Sequence, residues 1–256
     1  MSVNHDCLRC LNRPDCVMGQ VDAELNPMVR AAMQDQIRLL PGDVLLYPGM
    51  PFERLYLVRY GYFKAVLLDP EGRSHTTGLH GRGEVLGLEG LEPGQHLSEV
   101  TALQHASVCV FRYAAWCDLV ARIPSLQQAW FKTLSRTTRH DGQHMLLLGC
   151  MDGQERVASF LLMLWQRAGQ ARVESLDLMM TRQEIGNYLG MTLESVSRHL
   201  SQFQRRGWIR LDRRRVKVLQ LSALQQLKTV EETRDQIRPS LFQRRMGLNE
   251  QSVLGL

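Results

Sequence analysis

The chain has 256 residues, of which 44% are hydrophobic and 22% charged, and its formal net charge is +5. This balance is that of a globular protein and excludes a disordered or fibrous one. No apolar run approaches the roughly 18 residues that cross a bilayer, and the N-terminus lacks the apolar core of a signal peptide. We therefore expect a soluble, cytoplasmic protein with no membrane contact. Six cysteines are too few for a disulfide scaffold in a chain of this length.

The first chemical signal along the chain is the stretch DCLRCLNRPDC, which places Cys7, Cys10 and Cys16 in a C-x2-C-x5-C pattern. Thiols stay reduced in the cytosol, so a disulfide framework is disfavoured. Three thiols in a segment with almost no apolar residues suit a metal site, but a metal requires a fourth ligand. The pattern alone leaves a metal site and a chance cluster of thiols both open.

From about residue 38 to 113 the sequence predicts short strands separated by turns. Pro-Gly turns flank the run from Val44 to Tyr47, Gly61 separates two apolar runs, and DPEG ends the second of them. Such segments recur about every ten residues with Gly and Pro between them, which is typical of antiparallel barrels and jelly rolls.

A long helix is predicted from about Pro124 to Gly149, with one stripe that is apolar except at two positions. The stripe comprises Ala129, Trp130, Leu134, Thr138, Asp141, Met145 and Leu148. A helix of about 25 residues without proline favours a dimer seam. Packing on its own domain alone is the alternative that the periodicity leaves open. The stretch MDGQERVASFLLMLWQRAGQ then predicts a second helix, and ARVESLDLMM predicts a connection with a strand at its end.

The most specific stretch is MTRQEIGNYLGMTLESVSRHLSQFQRRGWIRLDRRRVKVL, residues 180–219. Thr181 and Glu184 match a T-x-x-E capping box, which predicts that a helix begins at the next residue. Gly190 matches the left-handed residue that ends many helices. A short capped helix followed by a glycine turn is therefore expected here.

A second helix is predicted between Thr192 and Gly207, and the segment WIRLDRRRVKVL predicts a hairpin that turns at residues 212–214. The predicted inner face of this helix consists of Leu193, Val196, Leu200 and Phe203. Two helices joined by a glycine turn and followed by a hairpin form a winged helix-turn-helix.

The outward face of that second helix carries the side chains that we expect to read DNA bases. Arg198 can contact guanine bidentately, Glu194 can accept from cytosine, and Ser197 suits several base edges. The expected contacts to the DNA backbone are Thr181, Arg205, Arg206, Arg213 and Arg214. A polar, solvated helix face is the simpler interpretation of the same residues, but it does not account for the capped helices and the basic hairpin occurring together.

A β-rich N-terminal part, a long helix and a winged helix-turn-helix together resemble the CRP/FNR family of bacterial transcription regulators. The stretch TRQEIGNYLGMTLESVSRHLSQFQRRG is most similar to the FNR branch, and the likeness runs from Cys7 to about Leu227. It implies an α+β fold with an N-terminal β-roll or jelly-roll sensor domain like those that bind cyclic nucleotides. The implied divisions are a cysteine-rich segment (1–20), the β-roll (21–122), a dimerisation helix (123–150), the winged helix-turn-helix (151–230) and a C-terminal tail (231–256).

The resemblance also implies a cofactor. Members like FNR carry an oxygen-labile 4Fe-4S cluster on three N-terminal cysteines and one from the β-domain, which here would be Cys7, Cys10, Cys16 and Cys109. Zinc would also suit four thiolates. The remaining cysteines fall outside this pattern, and we expect Cys117 to be a small buried hydrophobe.

The family's cyclic-nucleotide members hold the ligand phosphate with an Arg-Ser pair. This chain has Leu97 and Ser98 at the matching positions, so the charge-assisted contact of the arginine is missing and no cyclic nucleotide is expected to bind.

The resemblance further implies a homodimer that contacts double-stranded DNA and RNA polymerase and has no enzymatic activity. Asp141 lies on the dimer stripe with Thr138 and Met145, so two carboxylates would repel across the seam and make dimerisation depend on the cluster. The expected operator is TTGAT-N4-ATCAA, and the expected role is the control of anaerobic genes in response to oxygen.

Two alternatives remain at this point, one of the same fold and one from a different class of protein. One is a regulator of the same fold that senses nitric oxide, haem or a small ligand, with zinc or no metal on the cysteines. The other is a redox enzyme or electron carrier, which the basic winged helix argues against.

Overall fold

The structure is a computed structural model that describes residues 7, 10, 14, 16–21, 23–69, 71–168 and 175–228. The predicted tail, 231–256, lies outside the described residues. The chain divides into two compact units, one formed by Met1–Gly149 with Met179–Leu193 and the other by Cys150–Leu178 with Glu194–Leu256. Each unit is described by itself below.

The first unit begins with a helix and eight strands. They are α1 (Asn26–Ala32), β1 (Met33–Leu39), β2 (Val44–Leu46), β3 (Arg54–Tyr60), β4 (Phe63–Leu68), β5 (Ser74–His80), β6 (Val85–Leu86), β7 (Glu99–Ala102) and β8 (Ala106–Arg112). The strands form two antiparallel sheets, in the orders β1-β8-β3-β6 and β2-β7-β4-β5. The predicted β-roll is therefore confirmed, and β1 begins earlier than the turn pattern indicated.

The core between the two sheets consists of side chains that alternate along the strands. Tyr56 and Val58 of β3, Val108 and Val110 of β8, and Phe63 of β4 are almost fully buried there. Because successive residues of a strand point to opposite faces, the residues between them point to the outer face of the β1-β8-β3-β6 sheet. This outer face carries the first candidate site.

Two helices follow the strands. The sequence did not predict α2 (Tyr113–Arg122), which places Trp116 in the core. The predicted long helix is α3 (Pro124–Cys150), which has 27 residues. Its first half is covered on one side, with Leu126, Ala129 and Trp130 buried against the outer face of the sheet.

The remaining elements belong to the DNA-binding part of the chain. They are α4 (Gly153–Arg167), β9 (Leu176–Asp177), α5 (Arg182–Leu189), α6 (Leu193–Arg205), β10 (Ile209–Asp212), β11 (Arg215–Val218) and α7 (Leu221–Lys228). In the second unit, α4 packs on α7, and β10, β11 and β9 form a small antiparallel sheet. The predicted winged helix-turn-helix is therefore present.

The helix cap and the glycine turn of this motif are formed as the sequence predicts. Thr181 and Glu184 form the complete capping box of α5, and Gly190 ends that helix with φ 60° and ψ 44°. Val196, Leu200 and Phe203 of α6 are buried, as predicted. The prediction for Leu193 is wrong: this side chain is 37% exposed, because it is the first residue of α6 and lies before the covered turns.

No helix among the described residues is long and apolar enough to cross a membrane.

Candidate metal centre and DNA-reading surface

Cys109 lies on β8, which is paired on both sides. It is opposite Gln36 of β1 and Leu57 of β3, in the middle of the four-stranded sheet. The alternation along β8 buries Val108 and Val110 between the sheets and turns Cys109 to the outer face. The thiol therefore faces the N-terminal segment.

Apolar residues after the third cysteine hold the N-terminal segment on that face. Val17, Met18 and Val21 are each at most 5% exposed and belong to the same core cluster as Leu57. Cys16 directly precedes the short 3-10 helix Val17–Gln20, whose Gly19 amide donates to the Cys16 carbonyl at 2.9 Å. Burial of this short helix places Cys16 at the sheet.

The four predicted ligands come together around one cavity. Cys7, Cys10, Cys16 and Cys109 all line it, together with apolar side chains and Arg59. The described part of the chain contains no disulfide between them. The structure thus brings together residues that are 93 positions apart in the sequence.

The thiols of this cavity are electrostatically coupled. Burial, with the neighbouring thiols adding to it, raises the pKa of Cys109 to about 12, while Arg59 acts in the opposite direction. Burial also raises the pKa of Cys16 to about 11. Such thiols are protonated at neutral pH, so binding of a metal must displace protons.

Among the described residues, no group of three or more His, Cys, Asp or Glu side chains is arranged so that it could hold one metal ion. Around one zinc ion the sulfur atoms lie about 3.8 Å apart, because each Zn–S bond is about 2.3 Å long. The four thiols surround a cavity without this close tetrahedral arrangement.

The prediction for Cys117 is wrong, because this residue is exposed. It lies on α2, where Trp116 and Leu119 point into the core and Cys117 points away from them. Cys150, at the end of α3, is exposed as well. Neither cysteine lines the cavity of the other four.

The predicted base-reading residues share one face of α6. Ser197 and Arg198 follow Glu194 by three and four positions. Glu194 and Arg198 are exposed, and Ser197 is half-buried. The Arg198 guanidinium donates to the Ser195 hydroxyl at 3.3 Å. Sequence reasoning missed Ser195, although its position three residues before Arg198 is the spacing at which helix side chains meet.

The residues that are predicted to contact the DNA backbone lie in different local environments. Arg206 stacks on Trp208 at 4.9 Å from the ring centroid, so its guanidinium is oriented by a cation–π contact. Arg213 has a φ of 52° at the exposed hairpin turn between β10 and β11. The Thr181 hydroxyl donates to the Glu184 carboxylate at 2.9 Å and so belongs to the helix cap.

The predicted dimer residues form an exposed stripe on the second half of α3. Thr138 and Asp141 are exposed, and Met145 is 72% exposed. Phe131, two turns before Thr138, is 60% exposed. Large apolar side chains exposed together on one helix are typical of an interaction surface.

Arg59 is the residue of the cysteine cavity that sequence reasoning missed. It is the extra residue of a β-bulge, since Val58 pairs with Val108 and Tyr60 with Ser107. The period of two along β3 places Arg59 on the same face as Leu55 and Leu57. That alternation is the signal that could have found it.

A β-roll with a thiol-lined cavity, a long helix with an exposed apolar stripe, and a winged helix-turn-helix with exposed basic residues define the class of this protein. It is a DNA-binding regulator.

Comparisons with known proteins agree with this class. The Crp-like helix-turn-helix domain matches residues 155–227, and the cyclic nucleotide-binding domain matches residues 36–122. The chain is 36% identical to the transcriptional regulatory protein btr of Bordetella pertussis, over 86% of this chain and 92% of that protein. It is 33% identical to the transcriptional activator protein Anr of Pseudomonas protegens, over 85% and 91% of the two chains.

The fumarate and nitrate reduction regulatory protein of Escherichia coli is 32% identical to this chain, over 73% of it and 75% of that protein. Among solved structures, FixK2 from Bradyrhizobium japonicum matches 75% of this chain and 96% of its own with a TM-score of 0.69 and 29% identity. The chain therefore belongs to the CRP/FNR family of transcription regulators. It is a DNA-binding, dimerising regulator and not an enzyme.

Proposed function

We propose that this protein is an oxygen-responsive regulator of anaerobic gene expression that holds a 4Fe-4S cluster on Cys7, Cys10, Cys16 and Cys109. The convergence of these four thiols on one cavity carries the proposal. Similarity to a regulator of fumarate and nitrate reduction supports the anaerobic role.

The donor set and its surroundings fit such a cluster. Soft thiolates are the ligands that iron–sulfur clusters use, and in a cluster each thiolate binds a different iron atom. The sulfur atoms are then farther apart than around one zinc ion. Met18, Leu57 and Phe111 provide apolar walls.

When bound, the cluster would supply sensitivity to oxygen. The protein's own part is to bind it with ligands from two distant segments. Thiolate ligation at Cys7, Cys10 and Cys16 would fasten the N-terminal segment to Cys109 of the sheet. Val17 and Met18 pack in the same core as Trp130 of α3. Ordering of the N-terminal segment would therefore act on the long helix through these packing contacts.

Dimerisation would use the exposed stripe of α3. Burial of Met145 and Phe131 at a seam favours association, while two Asp141 carboxylates brought together oppose it. A dimer with opposing contributions of this kind is marginal, so the ordering of the cysteine segment can decide whether it forms.

DNA reading would use one α6 from each protomer, set about one helical turn of DNA apart. Glu194, Ser197 and Arg198 would contact the bases of TTGAT-N4-ATCAA half-sites, and Arg205, Arg206, Arg213 and Arg214 the phosphates. Thr181 is proposed as a further phosphate contact. RNA polymerase is the expected protein partner at promoters.

Cyclic nucleotides are not the proposed signal, and the charge at the matching loop supports this. The Ser98 hydroxyl donates to the Glu89 carboxylate at 2.6 Å, and Leu97 is 45% exposed where cyclic-nucleotide-binding members have arginine. A ligand phosphate would therefore lack the charge-assisted contact of a guanidinium, and Ser98 is already engaged by a carboxylate.

Anaerobic purification from a host that makes iron–sulfur clusters tests the proposal. We expect a coloured protein that contains iron and sulfide in equal amounts and loses both, together with operator binding, on exposure to air. A colourless protein with zinc, or with no metal, that binds the operator equally in air would overturn it.

A further inference from the structure

The first helix of the helix-turn-helix, α5, lies against β5 within the first compact unit. Two side chains from outside the DNA-binding motif make polar contacts with it. Lys64 of β4 contacts the N-terminal end of α5, and His144 of α3 contacts its C-terminal end. The helix is therefore held at both ends by the sensor fold.

The contact at the N-terminal end is an ion pair that includes the helix cap. Lys64 Nζ lies 2.6 Å from Glu184 Oε1, and the two side chains are 20% and 25% exposed. The other oxygen of this carboxylate accepts from the Thr181 amide at 2.8 Å. Burial acts to raise the pKa of Glu184, but the hydrogen bonds from Lys64 and Thr181 outweigh it, so this pKa lies below its usual range.

The contact at the C-terminal end is a bridge made by one imidazole ring. His144 Nδ1 lies 3.1 Å from the Thr77 carbonyl oxygen, and His144 Nε2 lies 2.8 Å from the Tyr188 carbonyl oxygen. The ring also stacks on Tyr188 with 4.2 Å between centroids. His144 thus joins α3, β5 and α5.

The positions of the two carbonyl groups explain why a side chain can reach them. Thr77 is the extra residue of a β-bulge, since Ala65 pairs with Gly78 and Val66 with Thr76, and a bulge leaves such a residue outside the ladder. Tyr188 lies in the last turn of α5, where carbonyl groups lack partners within the helix.

The chemistry of these contacts makes His144 the donor. Carbonyl oxygens only accept hydrogen bonds, so a ring nitrogen that carries a hydrogen donates to the carbonyl group that faces it. The last turn of α5 contains no basic residue of its own, so His144 supplies a donor to this end of the helix from outside it.

We propose that Lys64 and His144 are positioning residues that fasten α5 to the sensor fold and thereby raise the affinity of α6 for its operator. The turn at Gly190 connects α5 directly to α6. Fastening α5 therefore restricts the orientations of α6 before binding, so less conformational entropy is lost when α6 binds DNA. The proposal rests on DNA binding and does not depend on the iron–sulfur cluster.

Loss of the ion pair has a defined pH dependence. As the pH falls below the usual range of carboxylates, protonation of Glu184 removes the ion pair. Among the described residues, His75 of β5 stacks near His144 with 6.1 Å between centroids, and burial and the His144 charge both lower the pKa of His75.

The other described titratable groups near His144 lie on α5 and α3. Tyr188 of α5 stacks on it, the Lys64–Glu184 pair lies at the other end of α5, and His140 and Asp141 are about one turn earlier on α3.

Hydrogen exchange of the full chain tests the bridge directly. His144→Phe, which keeps a ring for stacking but has no ring nitrogen, should lower the protection of the α5 amides about tenfold, as expected for the loss of a hydrogen bond to the end of the helix. His105→Phe, at an exposed turn, should behave like the wild type. Equal protection in wild type and His144→Phe would overturn the proposal.

This measurement requires no iron, so failure of the cluster proposal would leave its result intact.

DNA binding tests the positioning role of Lys64. With anaerobically prepared protein, Lys64→Met should weaken binding to a TTGAT-N4-ATCAA duplex about fivefold, as expected for a half-buried ion pair, and Lys64→Arg should restore it. Arg73→Met removes the same charge from the far end of the β4–β5 hairpin and should leave affinity unchanged. Equal effects of Lys64→Met and Arg73→Met would contradict the proposal.

Discussion

The cysteine cavity and the DNA-reading motif of this protein are built in opposite ways. The motif uses residues that are close in sequence, from the cap at Thr181 to the strand that ends at Val218. The cavity joins Cys16 to a cysteine 93 positions later. Local signals are sufficient for the motif, whereas the cavity depends on strand register, since a slip of one residue in β8 would turn Cys109 into the core between the sheets.

Loss of Cys109 is the largest change that we predict, because it removes a ligand of the long-range site and leaves the local motif untouched. Cys109→Ala should abolish iron and sulfide binding, measured chemically after anaerobic purification, since a cluster needs its fourth thiolate. The far-ultraviolet circular dichroism of the helices should not change. Cys117→Ala is the matched control and should keep the cluster; similar iron contents in both variants would refute the ligand assignment.

Arg198 provides the corresponding test of the local motif. Arg198→Ala should lose discrimination at one G·C pair by about 1–3 kcal/mol, because a bidentate contact to guanine is removed. Binding to duplexes that differ only at that pair measures the effect, and the iron content should stay the same. A variant that discriminates as well as the wild type would remove Arg198 from the reading surface.

Gly186 tests whether the motif depends on the close approach of α5 to the backbone of the turn that follows it. A Cβ at this position would lie 2.6 Å from the Met191 carbonyl oxygen, so the turn after α5 must shift. Gly186→Ala should destabilise this region by about 2 kcal/mol, measured by hydrogen exchange of its amides. Gly149→Ala, where a Cβ would meet nothing within 4 Å, should instead stabilise α3 by about 0.5–1 kcal/mol. Equal effects would contradict the close approach at Gly186.

Asp141 lies on α3, between the cysteine cavity and the DNA-reading motif in the sequence, and it provides a test of the predicted dimer seam. Asp141→Ala should strengthen dimerisation in air about tenfold, or about 1.4 kcal/mol, because it removes the repulsion of two carboxylates. Analytical ultracentrifugation measures the change. Asp118→Ala removes the same charge from an exposed position on α2 and should leave the monomer–dimer equilibrium unaltered. An Asp141→Ala variant that stays monomeric would rule out the repulsion.

The parts of the fold that sequence reasoning predicted depend on near neighbours. The capping box at Thr181 and Glu184 and the left-handed Gly190 each follow from residues within one or two turns. The errors occur where burial depends on distant elements. Leu193 is exposed because it begins α6, before the covered turns, and Cys117 is exposed because it lies on the side of α2 away from Trp116.

The candidate metal ligands show the same division. Spacing revealed three thiols at the N-terminus but no partner, and the choice of Cys109 came from resemblance to a family. Arg59 was missed although the alternation along β3 places it on the face of Leu57, because only the folded structure shows that this face is a wall of the cavity. The bridge made by His144 was missed for a related reason, since its acceptors are backbone carbonyl groups that every residue possesses.

The sequence by itself therefore determined the winged helix-turn-helix, the long helix and the β-rich sensor domain, because caps, glycine turns and periodicity act over a few residues. Only the tertiary structure decided which thiols share a cavity and which side chains hold α5. Those contacts join elements far apart in the chain, and packing on both faces of a sheet selects the strand register that brings them together.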